Sequence, residues 1–339
     1  MSVLWILVAF LVVLVTFVIR FLAIWFARHE EEANKVSERF FESPTSLQKI
    51  PVPSIFSEAT KSLTIVIPAY NEEARLPATL DETLRYLQKR RDRQGPNFTY
   101  EVIVVDDGSR DATVRRAFEY VRKHGIDAVR VLQLPRNYGK GYAVKAGMLV
   151  GRGELLLFMD ADGATRVSDV EKLEAALATI SGKGAEEAGK DTPPVKRVDG
   201  AGGAAMAVGS RAHLEAVAIS RRAWYRNFLM HGFHFVVLLV AGGAIKDTQC
   251  GFKLFTRPAA RALYSNQRLQ RWCFDVELIF LAQRLTIPIV ETSVNWTEIP
   301  GSKVSVTSIV HMTWEMAAIL IGYSWLRLWH INTSAGLAQ

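Results

Sequence analysis

The sequence predicts an α/β protein with a doubly wound, mostly parallel sheet, preceded by a helix that spans a membrane. Three observations support this prediction. Continuous apolar runs, typical of strands buried on both faces, alternate with amphipathic helical patterns in the first half of the chain. Polar residues suited to ligand binding directly follow three of these runs, as expected at the carboxyl edge of such a sheet. The chain also begins with one long apolar stretch.

The composition narrows the class of protein before any motif is considered. The 339 residues contain 41 Lys and Arg against 34 Asp and Glu, a net charge of +7. This length fits one large α/β domain or two domains, and 22% charged residues with 17 Phe exclude global disorder. Two cysteines exclude a disulfide framework and a Cys-rich zinc site. The basic excess indicates an anionic partner: nucleic acid, a phosphorylated ligand or an acidic membrane surface.

The apolar stretch at the start of the chain runs from Val3 to Ala27 and is interrupted by Thr16 and Arg20. At about 1.5 Å per residue it reaches roughly 37 Å, enough to cross a hydrocarbon core of about 30 Å. It lacks the basic start and small-residue cleavage site of a signal peptide, so we expect an uncleaved anchor. Arg20, Arg28 and Lys35 lie within or after it, which places the rest of the chain in the cytosol.

The remaining chain follows a βα pattern. We divide it into an anchor at 1–30, a linker at 31–61, an α/β domain at 62–303 and a C-terminal region at 304–331. Strands are predicted at 63–67, 101–105, 129–134, 154–159 and 207–210, and helices at 72–89, 112–124 and 139–150. The spacing of about 30 residues between strands favours a doubly wound sheet.

Two later segments, Phe228–Ile245 and Ser308–Ile331, are unusually apolar for a soluble domain. They fit buried core helices, amphipathic helices in the membrane interface, or further spans. Because an anchor precedes them, we expect interface helices at 219–245 and in the C-terminal region. The Gly- and Ala-rich stretch at 181–205 is expected to be an exposed insertion.

The first strand-end motif is Pro68-Ala69-Tyr70-Asn71-Glu72. We expect Pro68 to end its strand, and the chain then to turn into a helix whose first amides face an anion. Tyr70 offers a plane on which a nucleobase can stack. The motif is therefore a candidate ligand-binding segment.

The second strand-end motif is Asp106-Asp107-Gly108-Ser109. The two carboxylates can accept hydrogen bonds from a nucleobase or a ribose. Capping of the next helix by Ser109 or Asp111 is an equally good explanation for those two residues. It does not explain why two carboxylates stand side by side.

The third strand-end motif is Asp160-Ala161-Asp162. In an extended segment alternate side chains point the same way, so Asp160 and Asp162 can face one hard cation. Mg²⁺ or Mn²⁺ binds one or two carboxylates and completes its shell with water and ligand phosphates. The position of the motif, at the end of a buried strand, predicts a metal site.

A basic segment, Arg136-Asn-Tyr-Gly-Lys140-Gly141, opens one of the predicted helices. Its cations and helix-start amides can converge on a diphosphate. The spacing around Lys140 is neither that of a P-loop nor that of a Rossmann fingerprint. Nucleic acid is disfavoured as a partner, because the basic residues are dispersed and form no stripe with aromatic residues.

Taken in order, these motifs give a family resemblance. The stretch from Leu63 to about Lys303 resembles the family-2 glycosyltransferases of GT-A fold, whose donor-site motifs correspond to 67–72, 105–109 and 160–162. Within that family it is similar to the polyprenyl-phosphate transferases. Longer blocks resembling the members that glucosylate dolichyl phosphate lie at 160–165, 247–255, 274–277 and 295–303.

This resemblance implies an inverting transfer of glucose from UDP-glucose to dolichyl phosphate, dependent on Mg²⁺ or Mn²⁺. The product, dolichyl β-D-glucosyl phosphate, would serve lipid-linked oligosaccharide synthesis and protein N-glycosylation. The implied location is the lipid bilayer of the endoplasmic reticulum, with the catalytic domain on the cytosolic face. Pro68, Ala69, Tyr70, Glu72, Asp106, Asp107, Arg136, Lys140, Gly141, Asp160 and Ala161 would then bind the donor.

The resemblance also implies roles for single residues. Asp162 holds the metal, and Asp160 shares in that site or binds the ribose. Asp275 stands at the position of the family's base and is expected mainly to orient groups, unless it is the N-cap of the next helix. Gln249 and Lys253 are expected to line the sugar pocket.

Two arginines, Arg211 and Arg226, match those that bind the acceptor phosphate in the polyprenyl-phosphate transferases. Bidentate guanidinium groups suit that task. The match at Arg226 is loose, and Arg221 or Arg222 can take its place. We therefore count Arg211 and Arg226 with the catalytic residues.

The chain departs from neighbouring groups at two positions. Ala164 stands where mannose-transferring members have a Gln, so water or another residue must complete the metal shell. Arg268 stands where processive synthases have the Gln of Gln-x-x-Arg-Trp, although Arg271 and Trp272 are present.

Alternative functions remain open at this point. The chain could be a polyprenyl-phosphate transferase that uses GDP-mannose or UDP-GlcNAc. A more distant alternative is a membrane-anchored protein that binds nucleotide sugars without turnover. The sequence predicts no oligomeric state.

Overall fold

The computed structural model describes residues 2–34, 40–42, 49–180, 203–212, 243, 245–299 and 306–333. The N-terminal half contains α1 (Ser2–Asn34), β1 (Phe40–Glu42), β2 (Lys49–Pro51), β3 (Lys61–Ala69), α2 (Leu76–Gln94), β4 (Tyr100–Asp106), α3 (Thr113–His124), β5 (Val129–Gln133), α4 (Lys140–Met148), β6 (Gly153–Met159) and α5 (Val170–Ile180). The C-terminal half contains β7 (Met206–Ser210), β8 (Phe252–Thr256), α6 (Arg257–Asn266), α7 (Phe274–Arg284), β9 (Ile289–Ser293) and α8 (Val306–Ile319), followed by a π-helical turn (Leu320–Trp325).

The main sheet has seven strands in the order β5-β4-β3-β6-β8-β7-β9. The pairs β3/β4, β3/β6, β4/β5 and β7/β9 are parallel, whereas β8 is antiparallel to both of its neighbours. The predicted doubly wound, mostly parallel sheet is thus confirmed. Because β3, β4 and β6 are adjacent and parallel, the three predicted motifs lie at one edge of the sheet. Pro68 does not end its strand, since it pairs with Val105 inside β3.

Helix α4 packs very closely on the sheet, and Gly147 makes this approach possible. A Cβ atom at Gly147 would lie 2.4 Å from Val66 Cγ1 and 2.8 Å from Val105 Cγ2. Both valines are fully buried, and their branched side chains have little rotamer freedom. Since Lys140 is the first residue of α4, the depth of this helix determines where the Lys140 side chain stands.

Helix α1 is the one described helix that is long and apolar enough, by length and composition, to cross a membrane. Its segment Val12–His29 has a mean hydropathy of 1.8, and 6% of that segment is buried. The end of the helix packs on the C-terminal part of the chain, where Phe26 is 2% exposed. The indole of Trp329 donates a 3.4 Å hydrogen bond to the Phe26 carbonyl, and Trp25 meets Trp314 edge-on at 5.5 Å.

Part of the predicted linker belongs to the folded domain. Strands β1 and β2 pair as an antiparallel ribbon, and Phe41 is buried beneath the guanidinium of Arg130, at 4.9 Å from the ring centroid. Ile55 is also buried, and Arg257 donates hydrogen bonds to the carbonyls of the adjoining turn at 54–57. Burial of these two apolar side chains holds the segments 40–42 and 49–57 against the domain.

Helix α8 packs as a core helix along its last turns, with Met316, Ala318 and Ile319 buried. In the turn after it, Trp325 and Leu326 are 74% and 56% exposed. Among the described side chains of 304–331, those of Trp325 and Leu326 are the most exposed large apolar ones, and the predicted interface helix stays a prediction. The predicted helix at 219–245 and most of the insertion at 181–205 lie outside the described residues.

We expect Gly147→Ala to reduce the free energy of unfolding by about 1–3 kcal/mol, because the new methyl group overpacks the α4–sheet contact. Chemical denaturation of the purified full chain in detergent measures this loss. Arg122→Lys, on the exposed face of α3, is the control and should change stability little. A Gly147→Ala protein as stable as the control would contradict the close packing.

Candidate active site

A pocket of about 780 Å³ opens at the carboxyl edge of β3, β4 and β6. The predicted site residues that line its described part are Pro68, Ala69, Tyr70, Glu72, Asp107, Lys140, Asp160, Ala161, Asp162 and Arg211. Residues at the strand ends therefore meet Lys140 at the start of α4 and Arg211, which directly follows β7. The pocket has enough room for a nucleotide ligand.

The Asp160 carboxylate is held between Lys140 and Gly251. Lys140 Nζ lies 2.6 Å from Asp160 Oδ1, and the Asp160 amide donates to the Gly251 carbonyl at 3.2 Å. A Cβ atom at Gly251 would lie only 2.1 Å from Asp160 Oδ2. A glycine is therefore required at 251 for this carboxylate to keep its place.

Asp160 and Asp162 fit a divalent cation. The pKa of Asp162 is raised by burial and by the negative charge of Asp160, so a bound cation would relieve both effects. Among the described residues, no group of three His, Cys, Asp or Glu side chains is arranged to hold a metal. Two carboxylates alone suit Mg²⁺ or Mn²⁺, which completes its shell with water and phosphate oxygens. Ala164 donates its amide to Asp162 Oδ1 at 3.0 Å and orients that carboxylate.

The amides after β3 that were predicted to face an anion donate hydrogen bonds within the protein instead. The amides of Asn71, Glu72 and Glu73 donate to side chains of the 109–113 loop at 2.9, 2.7 and 3.2 Å. Helix α2 begins only at Leu76. The prediction was wrong here because a neighbouring loop, and not a ligand, satisfies these donors. The segment contributes a cation instead, since Glu72 holds Arg75 through two hydrogen bonds of 2.7 and 2.6 Å beside the pocket.

The paired carboxylates after β4 have different environments. Asp107 lines the pocket and accepts hydrogen bonds from the amides of Tyr138 and Gly139 at 2.8 and 2.9 Å. Burial raises the pKa of Asp107 to about 6. Asp106 lies outside the pocket lining: its Oδ2 accepts the Ser109 amide, and its buried Oδ1 has no partner among the described residues. Asp107 thus fastens the loop that leads to Lys140.

Within the basic segment, only Lys140 occupies its predicted place in the described pocket. Arg136 lies over the Tyr138 ring at 4.7 Å and is outside the pocket lining. The Gly141 amide donates to the Arg271 carbonyl at 3.2 Å. The Gly141 amide is therefore engaged by the protein and not by a diphosphate, whereas the predicted role of Arg136 there stays a prediction. Arg271 itself lines the pocket and supplies a cation there.

Arg211 is held rigidly at the pocket wall. Its guanidinium donates to both oxygens of Asp247 at 2.7 and 2.9 Å, and it lies over the Trp296 ring at 5.5 Å. Burial alone would raise the pKa of Asp247, but the bonds from Arg211 outweigh it and lower that pKa. Arg226, Arg221 and Arg222 lie outside the described residues.

Lys253, which was predicted to line the sugar pocket, instead forms a buried ion pair with Asp275. Lys253 is 0% exposed and donates to Asp275 Oδ1 at 2.5 Å and to the Cys250 carbonyl at 2.6 Å. Asp275 is the second residue of α7, so the N-cap alternative is wrong: Cys273 holds the cap position. Gln249 is half-buried and also lies outside the described pocket lining. Asp275 nevertheless acts on the site, since Asp160 and Asp275 raise the pKa of Lys140 against the effect of burial.

Several residues that line the pocket were not among the predicted site residues. They are Asn71, Arg75, Asn137, Gly139, Ala143, Ala164, Arg271, Trp272, Trp296, Glu298, Ile299 and Ser308. Asn71, Asn137 and Gly139 lie inside the motifs at 68–72 and 136–141, so the sequence could have identified them as site residues. Trp296, Glu298 and Ile299 belong to the block at 295–303, which had no assigned role. Ser308 gives no local signal, because only the packing of α8 brings it to the pocket.

Comparison with known proteins agrees with this geometry. The model of the family described as Glycosyl transferase family 2 matches residues 64–181. A dolichyl-phosphate β-glucosyltransferase of Drosophila melanogaster is 49% identical over 278 residues, which cover 82% of this chain and 78% of that protein. The protein of the same name from Homo sapiens is 50% identical over 276 residues, which cover 81% of this chain and 78% of that protein.

A solved structure shows the same fold. It is glucosyl-3-phosphoglycerate synthase from Mycobacterium tuberculosis in complex with UDP, with a TM-score of 0.50 and 17% identity, covering 78% of this chain and 80% of that one. Fold and site thus define a glycosyltransferase with the GT-A architecture. Within family 2, the chain belongs to the dolichyl-phosphate β-glucosyltransferases.

We expect Gly251→Ala to reduce transferase activity about 10- to 100-fold while the protein stays folded. The added methyl group must push the Asp160 carboxylate away from its place, and an error of 1 Å in an active site has consequences of this size. Steady-state transfer rates and thermal unfolding measure the two effects. In an Asp160→Ala background the same substitution should have little further effect on rate. An equal loss in that background would show that Gly251 does not act through Asp160.

Proposed function

We propose that this protein transfers glucose from UDP-glucose to dolichyl phosphate with inversion, giving dolichyl β-D-glucosyl phosphate for N-glycosylation. Its membership of the dolichyl-phosphate β-glucosyltransferases supports the glucose and the lipid acceptor. The single observation that carries the proposal is the composition of the pocket. One cavity joins two carboxylates suited to a metal with cations at Arg75, Lys140, Arg211 and Arg271.

The donor would bind with its diphosphate between the metal carboxylates and the cations. Asp160 and Asp162 would hold Mg²⁺ or Mn²⁺, which supplies positive charge to the leaving diphosphate. Lys140 stands 2.6 Å from Asp160 and can contact the same phosphates. Tyr70 lines the pocket and offers a face to the uracil.

The acceptor requires no strong base. A phosphate monoester has a second pKa of about 6, so it is largely a dianion at cytosolic pH. One of its oxygens forms the bond to C1 of glucose as the bond from C1 to the diphosphate oxygen breaks, and UDP leaves. Asp275 takes no proton in this scheme. Its ion pair with Lys253, buried behind Lys140, fits a role in orienting the site.

The position of the pocket suits an acceptor that stays in a membrane. Ser308 lines the pocket, and Trp314 on the same helix contacts Trp25 of α1. At about 1.5 Å per residue, these two points of α8 are roughly 9 Å apart along its axis. If α1 spans the bilayer, a phosphate at the lipid headgroups can enter the pocket while its polyprenyl chain remains among the lipids.

The same arrangement supports a location at the endoplasmic reticulum membrane with the pocket on the cytosolic face. Arg28 follows the apolar part of α1, in keeping with the positive-inside rule. Trp325 and Leu326 are exposed in a turn adjacent to the end of α1 and suit the membrane interface.

The direct test is an assay of the purified full chain in detergent with dolichyl phosphate, Mg²⁺ and UDP-glucose, with GDP-mannose and UDP-GlcNAc in parallel. We expect an organic-soluble glucolipid from UDP-glucose alone, and no product after chelation of the metal. Asp162→Asn should reduce the rate at least about 100-fold, because charge on the leaving group loses its stabilisation. Asp92→Asn, at an exposed position of α2, is the matched control. A product that survives Asp162→Asn undiminished would refute the mechanism, and a better donor among the other two would refute the sugar.

Arg211 provides a separate test of the acceptor site. Arg211→Lys should raise the KM for dolichyl phosphate about tenfold, since lysine cannot replace a bidentate guanidinium, with a smaller effect on the KM for UDP-glucose. Asp247→Asn should act in the same direction, because it loosens Arg211. Initial rates at varied acceptor and donor concentrations separate the two constants. A change in the KM for UDP-glucose alone would instead assign Arg211 to the donor site.

A further inference from the structure

Helix α8 contacts the active site at two points. Ser308, near its start, lines the pocket. Glu315, two turns later, is 7% exposed and points at the loop that precedes α7. One carboxylate oxygen, Glu315 Oε2, accepts hydrogen bonds from the amides of Trp272 at 3.2 Å and Cys273 at 2.9 Å. A residue far from the strand-end motifs therefore holds the backbone of a pocket wall.

The loop held by Glu315 also holds the start of α4. The carbonyls of Gln270 and Arg271 accept the amides of Tyr142 and Gly141 at 2.9 and 3.2 Å. Lys140 directly precedes Gly141, and its side chain pairs with Asp160 at 2.6 Å. Continuous hydrogen bonds thus lead from Glu315 through the loop to the first residues of α4.

Two glycines bring the loop and α4 into direct contact. A Cβ atom at Gly139 would lie 2.6 Å from the Gln270 carbonyl oxygen, and one at Gly141 would lie 2.8 Å from Phe274 Cβ. Gly139 also has φ +111°, a conformation that other residues rarely adopt. With so little free space, a shift of the loop has to move Lys140 as well.

Trp314, the residue before Glu315, contacts α1. Its ring meets Trp25 at 5.5 Å, while the carboxylate of Glu315 reaches the pocket loop. Two adjacent residues of α8 therefore link the packing of α1 on the domain to the position of the pocket wall.

We propose that Glu315 is a positioning residue, which fixes the Arg271–Trp272 wall and, through it, Lys140 at the diphosphate subsite. The proposal rests on the function proposed above for this pocket. Glu315 acts through the two amides and touches neither substrate. Its charge is not required for that task, because one oxygen atom accepts both hydrogen bonds.

The substitutions Glu315→Gln and Glu315→Ala test this in the full chain. The glutamine keeps one carbonyl oxygen that can accept both amides, whereas the alanine leaves both without their acceptor. We expect Glu315→Ala to reduce kcat/KM for UDP-glucose at least about tenfold and Glu315→Gln to stay within about threefold of the wild type. Thr64→Val, which removes a buried hydroxyl that donates to Glu101 at 2.8 Å at the opposite edge of the sheet, controls for general destabilisation.

A double-mutant cycle separates positioning from mere stabilisation. If Glu315 acts through the pocket wall and Lys140, Glu315→Ala should have less than about a twofold effect on kcat/KM when Lys140→Ala, Arg271→Ala and Trp272→Ala are already present. The proposal would be overturned if Glu315→Ala reduced kcat/KM in that background as strongly as in the wild type. It would also be overturned if Glu315→Gln reduced kcat/KM as strongly as Glu315→Ala.

Hydrogen exchange provides a readout that does not depend on the proposed reaction. In the ligand-free chain, Glu315→Ala should speed amide exchange at 270–273 and also at 139–142, while Glu315→Gln and Thr64→Val should not. Unchanged exchange at 139–142 in Glu315→Ala would overturn the proposal. A wild-type chain that makes no glucolipid would refute the proposed function alone, since this exchange pattern would still decide the role of Glu315.

Discussion

The ion pair between Lys140 and Asp160 is the interaction on which the rest of the site depends. Two carboxylates beside one another, Asp160 and Asp162, repel, and burial makes that repulsion more costly. Lys140 offsets it at 2.6 Å from Asp160, and its position is fixed by the depth of α4 on the sheet. Behind it, Lys253 and Asp275 neutralise one another in the core. The described pocket thus holds carboxylates and cations side by side with their charges offset.

Close backbone contacts make this arrangement rigid. Gly147 lets α4 lie against the sheet, Gly251 leaves space for the Asp160 carboxylate, and Gly139 lets the loop before α7 touch the loop before α4. At each of these positions a single methyl group would meet an atom at less than 3 Å. A site that holds charged groups at fixed distances stabilises developing charge without the cost of reorganising during the reaction.

The same rigidity extends to the part of the chain suited to a membrane. Helix α8 lies between the pocket, which it reaches at Ser308, and the end of α1, which it contacts through Trp314. An enzyme whose acceptor is a phosphate on a lipid needs its pocket at a set height above the bilayer. Direct packing of α1 on the domain, with Phe26 buried, provides such a height more firmly than a flexible tether would.

The sequence by itself determined the alternation of strands and helices between residues 63 and 159, the doubly wound sheet and the place of Asp160 and Asp162, because these follow from local periodicity and from parallel strands ending at one edge. It did not reveal β8 and β9, which complete the sheet. It did not determine which polar groups face the pocket. Arg136 and Lys253 carry the same charge as Lys140, yet one lies against a tyrosine ring and the other is buried in an ion pair. Likewise, the helix-start amides that could bind a phosphate are taken by neighbouring loops. Only the tertiary structure decided this, because a donor or charge binds whatever lies within about 3 Å, and sequence spacing does not say what that is.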